Sequence, residues 1–272
     1  MLFLVKYWIG CSGFGYDEWI GGFYPQGLER HKFLEHYARH FNTVEINTTF
    51  YNWPERRQVL IWTRKTPEYF SFSFKLPQDI THEKKLINAS KDVIKFLDIL
   101  SPVIEANKLG VILVQLPPSL RRDIRRLETF LAEIPHEKYK FAVEFRHESW
   151  LVRETFKILS KYNVAYVAVD EPLLPPILEI TANFTYIRFH GHGKNPWYFY
   201  DYKEEELKPW VRRIKYAEDL VNEIFIYFNN HFRAYAPKNA KTFIRLLGIK
   251  EEELVPRPKV TKGYATLHEF FT

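Results

Sequence analysis

The sequence predicts a single-domain (β/α)8 TIM barrel spanning residues 1–272. Three observations lead there. Eight short apolar runs recur along the chain, helical segments separate most of them, and nearly every run stops on a polar or ionisable residue. Parallel strands joined by helices close into a barrel whose C-terminal strand ends meet at one mouth, so these polar ends should form one site. Such barrels take about 250 residues, and a core of that size needs no disulfide or metal to hold it.

The runs are Tyr7–Cys11, Thr43–Ile46, Phe70–Phe74, Gly110–Val114, Lys140–Val143, Val164–Val169, Phe184–Ile187 and Ile224–Phe228. At or just past their ends stand Ser12, Glu45 with Asn47, Lys75, Gln115, Glu144 with Arg146, Asp170, Arg188 with His190, and Asn229 with Asn230. Alternate residues of a strand share a face. Phe70, Phe72 and Phe74 therefore fall on one side of the third run, and Ser71, Ser73 and Lys75 on the other. The same alternation groups Glu45 with Thr43 and Asn47, Glu144 with Ala142 and Arg146, Asp170 with Ala168 and Tyr166, and Arg188 with Tyr186 and His190. In each run the small or polar face is expected inside the barrel, and the apolar face under the helices.

The crossovers are helical by pattern. Phe33, Leu34, Tyr37 and Phe41 recur at helical spacing, as do Val93, Ile94, Leu97 and Leu100. Ser119 reads as an N-cap ahead of a stripe of Leu120, Ile124, Leu127, Leu131 and Ile134. Arg121, Arg122, Arg125 and Arg126 would then occupy the first two turns of that helix, where the dipole disfavours cations and an anionic partner would relieve the conflict. Between strands six and seven, Pro172, Pro175 and Pro176 break the segment Glu171 to Asn183, so that crossover is degenerate, a loop or a single turn. The last barrel helix falls near Asn239–Leu247, and residues 251–272 form a C-terminal extension packed on the barrel.

Cys11 is the single cysteine, which excludes an internal disulfide. Met1 to Trp8 lacks the pattern of a signal peptide, and no apolar run approaches the roughly 18 residues of a membrane span. A soluble, cytoplasmic protein is expected. Low Cys and Met with abundant Lys, Arg and Glu hints at a thermophile. A formal charge of +6 favours an anionic ligand over a cationic one.

Several motifs resemble the YecE-like family, a group built on a domain of unknown function (DUF72). They are Gly10-Cys11-Ser12-Gly13-Phe14-Gly15-Tyr16-Asp17-Glu18-Trp19, the stretch Tyr37 to Asn47, Gln115-Leu116-Pro117-Pro118, Val143-Glu144-Phe145-Arg146-His147, Arg188-Phe189-His190-Gly191 and Tyr227-Phe228-Asn229-Asn230. The resemblance implies a TIM barrel with a cleft lined by these residues, and no established reaction. Phe14 stands where the family often has Trp, and Glu148 where Pro commonly follows Arg-His.

At the mouth, Glu45, Glu144 and Asp170 are candidate catalytic carboxylates and His190 a candidate proton carrier. Lys75, Arg146 and Arg188 offer positive charge to an anion, and Ser12, Asn47, Gln115, Asn229 and Asn230 offer hydrogen bonds. Tyr16 and Trp19 lead an aromatic group that could stack a sugar or a base, or simply cover the barrel top. His147, His192 and His231 read as ordinary loop residues. Oxygen ligands could hold a divalent Mg or Mn ion. These features point first to an enzyme binding a phosphate-containing substrate, a small molecule or nucleic acid, with phosphodiester hydrolysis as the reaction. The alternatives are a glycosidase or sugar isomerase using paired carboxylates, and a nucleic-acid-binding protein without catalysis.

Overall fold

In the computed structural model, which describes residues 5–256, the apolar runs become eight parallel strands in sequence order, and β8 closes on β1. They are β1 (Lys6–Ser12), β2 (Thr43–Ile46), β3 (Ser71–Lys75), β4 (Leu109–Gln115), β5 (Lys140–Glu144), β6 (Ala165–Asp170), β7 (Phe184–Phe189) and β8 (Glu223–Phe228). The helices are α1 (Phe33–Tyr37), α2 (Thr48–Tyr51), α3 (Arg56–Arg64), α4 (Ser90–Ile99), α5 (Ser101–Glu105), α6 (Ile124–Glu133), α7 (Arg153–Lys161), α8 (Glu204–Ala217), α9 (Tyr235–Leu247) and α10 (Glu251–Leu254). No helix is described between β6 and β7, in keeping with the three prolines there. The α10 turn buries Leu254 in the outer core, while the rest of the expected extension, 257–272, lies outside the described residues.

Helix α6 begins later than the sequence suggests. Asp123, not Ser119, is its N-cap, and its carboxylate accepts a hydrogen bond from the Arg126 amide at 3.0 Å. An anion at this position complements the helix dipole. Arg121 and Arg122 precede the helix instead of crowding its first turn, and Arg122 reaches Glu154. Arg125 and Arg126 still fall in the first turn, where Arg126 pairs with the Asp123 carboxylate at 3.2 Å, so the chain itself relieves part of the conflict assigned to an external anion.

Two apolar layers enclose the strands. The phenylalanines of β3 join the helices in the outer core, as the alternation requires. Inside the barrel, Trp8, Val111, Leu113, Ala142, Val167, Tyr186, Phe225 and Tyr227 form a second cluster. Trp8 stacks on Phe225 at 5.9 Å at the end of the interior away from the mouth. One level up, the Tyr227 hydroxyl meets Thr43 Oγ1 at 2.7 Å and Ser73 Oγ at 2.8 Å. This hydroxyl layer is the floor on which the charged mouth stands.

Strands β1 and β2 approach closely through Gly10, paired with Thr43. The Tyr37 hydroxyl accepts from the Cys11 amide at 2.7 Å and donates to the Thr43 carbonyl at 2.9 Å. A β-carbon on Gly10 would lie 2.1 Å from that carbonyl oxygen and 2.6 Å from the Tyr37 hydroxyl. Gly10→Ala is therefore expected to cost about 3 kcal/mol or more, a fall in Tm of roughly 6 °C or more. An unchanged melting curve would show that the two strands have slack.

Candidate active site

The mouth is organised around Arg188, a fully buried side chain rising from β7. Its Nη2 lies 2.7 Å from Glu45 Oε1 and its Nη1 lies 2.5 Å from Glu144 Oε2. Glu45 also accepts from Ser12 Oγ at 2.6 Å and from the Tyr186 hydroxyl at 2.6 Å. Arg146 closes over the top, bonding Glu144 with Nε and Glu171 with Nη1. Burial alone would raise the Glu144 pKa, yet Arg146 and Arg188 hold it well below the usual carboxylate range. Arg188 in turn is held charged despite its burial by Glu144 and Glu45. Glu171 goes the opposite way: burial pushes it up, Arg146 pulls it back in part, and Glu144 adds repulsion.

His190 joins the network through Nε2, which lies 2.9 Å from Arg146 Nη2, while Nδ1 lies 3.0 Å from the Asn229 amide nitrogen. With the guanidinium donating to Nε2, the ring proton belongs on Nδ1, and the Asn229 amide is best turned to present its oxygen. Burial, then Arg146 and Arg188, push the His190 pKa down to about 3. The neutral imidazole so favoured accepts a hydrogen bond from Arg146. It positions Arg146.

Lys75, at the end of β3, is the exception in this paired set. Its Nζ sits 3.6 Å from the centroid of the Phe50 ring, and no carboxylate among the described residues lies within ion-pair distance. Burial lowers its pKa to about 7, with Arg188 adding to the fall and Glu144 and Glu45 opposing it. His82, near it, is lowered to about 4 by burial and then by Lys75 and Arg146.

Asp170 does not join the site. On β6 the residues facing the interior are Ala165, Val167 and Val169, which places Tyr166, Ala168 and Asp170 on the helix side. The Asp170 carboxylate accepts from Trp210 Nε1 at 2.5 Å and the Tyr202 hydroxyl at 2.7 Å, and lies 2.5 Å from His192 Nε2. The reason is steric: Tyr166 needs the outer space, where its ring packs against Phe145 and Phe156. Glu171, missed in the sequence, takes the place assigned to Asp170. Asn230 also points away, to the Tyr200 carbonyl and Asn239, leaving Asn229 as the one of the pair at the mouth. Gln115 ends β4 in register with Glu144.

Trp19 is completely buried, its Nε1 donating to the His231 carbonyl, so it belongs to the cover and not to a binding wall. Tyr16 stacks on His231 at 4.5 Å and lines a cleft of about 490 Å³ with Phe14, Asn47, Trp53, Gln58 and Trp62. The Gly13–Tyr16 loop follows β1 and Asn47–Thr49 follow β2, so the cleft opens at the same end as Lys75. Among the described residues its lining carries no charged side chain, Lys75 lying outside it, and the buried Asn47 side-chain oxygen has no protein partner. His147 caps a short turn through Ser149, and His231 pairs with Glu18, both in structural positions. Among the described residues no group of three or more His, Cys, Asp or Glu could share a metal ion. The Mg or Mn expectation does not fit this donor set, since Glu45 and Glu144 are taken up by guanidinium groups. No helix among the described residues is long and apolar enough to cross a membrane.

Comparison with known proteins follows the same outline. A solved DUF72 family protein from Thermotoga maritima is 33% identical, with a TM-score of 0.80 over 89% of this chain and 99% of that one. The UPF0759 protein YunF of Bacillus subtilis is 28% identical, covering 92% of this chain and 98% of its own. The UPF0759 protein YecE of Escherichia coli is 39% identical over 147 residues, 54% of this chain and half of its own. The sequence profile described as "Protein of unknown function DUF72" matches residues 8–263, from the first strand past the last described helix, and the chain belongs to that family.

Proposed function

We propose that the protein is an enzyme acting on a small, uncharged, polyhydroxylated substrate, with the Lys75 amine as the reactive group of the mouth. The observation that carries this reading is the isolation of Lys75. Glu45, Glu144 and Glu171 are matched by Arg188 and Arg146, whereas Lys75 has no carboxylate partner among the described residues, and its pKa is lowered to about 7. An amine near neutrality exists half in its uncharged form, the form that attacks a carbon or takes a proton.

The cleft supplies the substrate class. Aromatic faces with amide side chains and no charge suit a sugar ring or its open chain better than a phosphate. The cationic cage expected of Lys75, Arg146 and Arg188 is not available to an anion, because Arg188 is shut between two glutamates and Arg146 is committed to two more contacts. This favours the carbohydrate reading over phosphodiester hydrolysis. Helix α2 links the parts: Thr48 and Thr49 line the cleft, Thr49 Oγ1 donates to the Lys75 carbonyl at 2.6 Å, and Phe50 lies under Nζ.

Glu144 is a support of this site. Removing its charge leaves Arg188 and Arg146 underneutralised in a dry environment, so Glu144→Gln is expected to cost about 3 kcal/mol at pH 7. Its folded pKa is depressed, so the stabilisation is present above the unfolded carboxylate pKa and lost as pH falls through the folded value. Thermal melts from pH 7 to 3 should show the gap between wild type and Glu144→Gln narrowing toward acid. A gap indifferent to pH would remove the electrostatic account.

Turnover of a panel of aldoses and ketoses, followed by NMR in D2O, tests the function. At least one sugar should react, with a rate rising through about pH 7 as Lys75 loses its proton. Lys75→Met should lower that rate by about a hundredfold or more with little change in Tm. Silence across the panel, with saturable binding of inorganic phosphate that needs Lys75, would return the site to the anionic reading.

A further inference from the structure

We propose that Lys75 is a covalent site, its amine condensing with the carbonyl group of an aldehyde or ketone to form an imine on the third strand. This rests on the reading of Lys75 as the reactive group and names what it does. The chain has a built-in comparison. Lys108 is also buried, but its Nζ donates to the Thr63 and Thr66 carbonyls at 2.8 and 2.7 Å, a structural role. Lys161 and Lys84 lie at the surface against Glu128 and Asp92. Among the described residues Lys75 has neither kind of partner; it is only partly covered and stands at the strand end that a TIM barrel uses for chemistry.

The groups facing Lys75 support the step. Glu45 on β2, Glu144 and Arg146 on and after β5, Arg188 on β7 and His82 after β3 surround the amine with charges that nearly cancel. Burial then shifts the amine toward the uncharged form, whose lone pair is the nucleophile. The nitrogen attacks the carbonyl carbon, a C–N bond forms, and the C–O π pair moves to oxygen. The two amine hydrogens leave with that oxygen as water, and the product is the C=N bond. Protonated, the imine is a cation over the Phe50 ring, where the ammonium already lies at 3.6 Å.

Reductive trapping tests this without a known substrate. The full chain is incubated at pH 7 with glyceraldehyde or dihydroxyacetone, reduced with borohydride, digested and mapped by mass spectrometry. Lys75 should be modified at least about tenfold faster than Lys161 or Lys84, and the advantage should shrink toward pH 10 as those lysines also lose their protons. Lys75→Arg should lose the preferred adduct. Modification of Lys75 no faster than that of Lys161 would overturn the proposal. In that event the turnover of Lys75→Met separates the two ideas: a collapse in rate leaves Lys75 as a proton-transfer base, and an unchanged rate removes it from the reaction.

Discussion

Everything at the mouth depends on one guanidinium placed inside the barrel. Arg188 is as buried as the surrounding core, and a charge in that position is tolerable only when it is paired and hydrogen-bonded. Glu45 and Glu144 meet that requirement from β2 and β5, three strands apart in the barrel, so a single cation ties three strands at their C-terminal ends. Ser12 and Tyr186 take further lone pairs of Glu45, and Arg146 takes those of Glu144. The geometry is over-determined, as a preorganised site needs to be.

The same arrangement sets the protonation of its neighbours. Two guanidinium groups and burial keep His190 neutral, and Arg188 with burial brings Lys75 toward neutrality. Glu144 and Glu171 share Arg146 yet shift in opposite directions, because Arg188 pairs directly with Glu144, while burial and repulsion from Glu144 outweigh the cations at Glu171. Pairs of groups driven apart in this way are a common mark of acid and base roles. Below them, the hydroxyls of Tyr227, Thr43 and Ser73 separate the ions from the Trp8 and Phe225 packing, so charge gives way to apolar core through one polar layer.

The barrel was legible because its strand runs are short, apolar and regularly spaced, and the strand bounds differ from the sequence reading by only one or two residues. Alternation placed Glu45, Lys75, Glu144, Arg146, Arg188 and His190 on the mouth face because, Thr185 apart, the polar residues of β2, β3, β5 and β7 fall on one face. It failed on β6, where Ala165 to Val169 is apolar on both faces and polarity gives no direction. Continuing the series 165, 167, 169 would have reached Glu171. The pairing of the cations could not be read from one dimension: three positive residues at strand ends suggest an anion cage, and only their three-dimensional partners show two of them already occupied. Helix α6 illustrates a local version, since both Ser119 and Asp123 are competent caps and the chain uses the acidic one, immediately before Ile124.

Burial within this network brings the Lys75 amine to about half uncharged near neutral pH. The most direct measurement is an NMR titration of the Lys75 side-chain carbon next to the amine, in protein carrying labelled lysine and assigned with Lys75→Arg. The account predicts a midpoint near 7, well separated from the surface lysines. A midpoint near the ordinary lysine value of about 10.4 would contradict it.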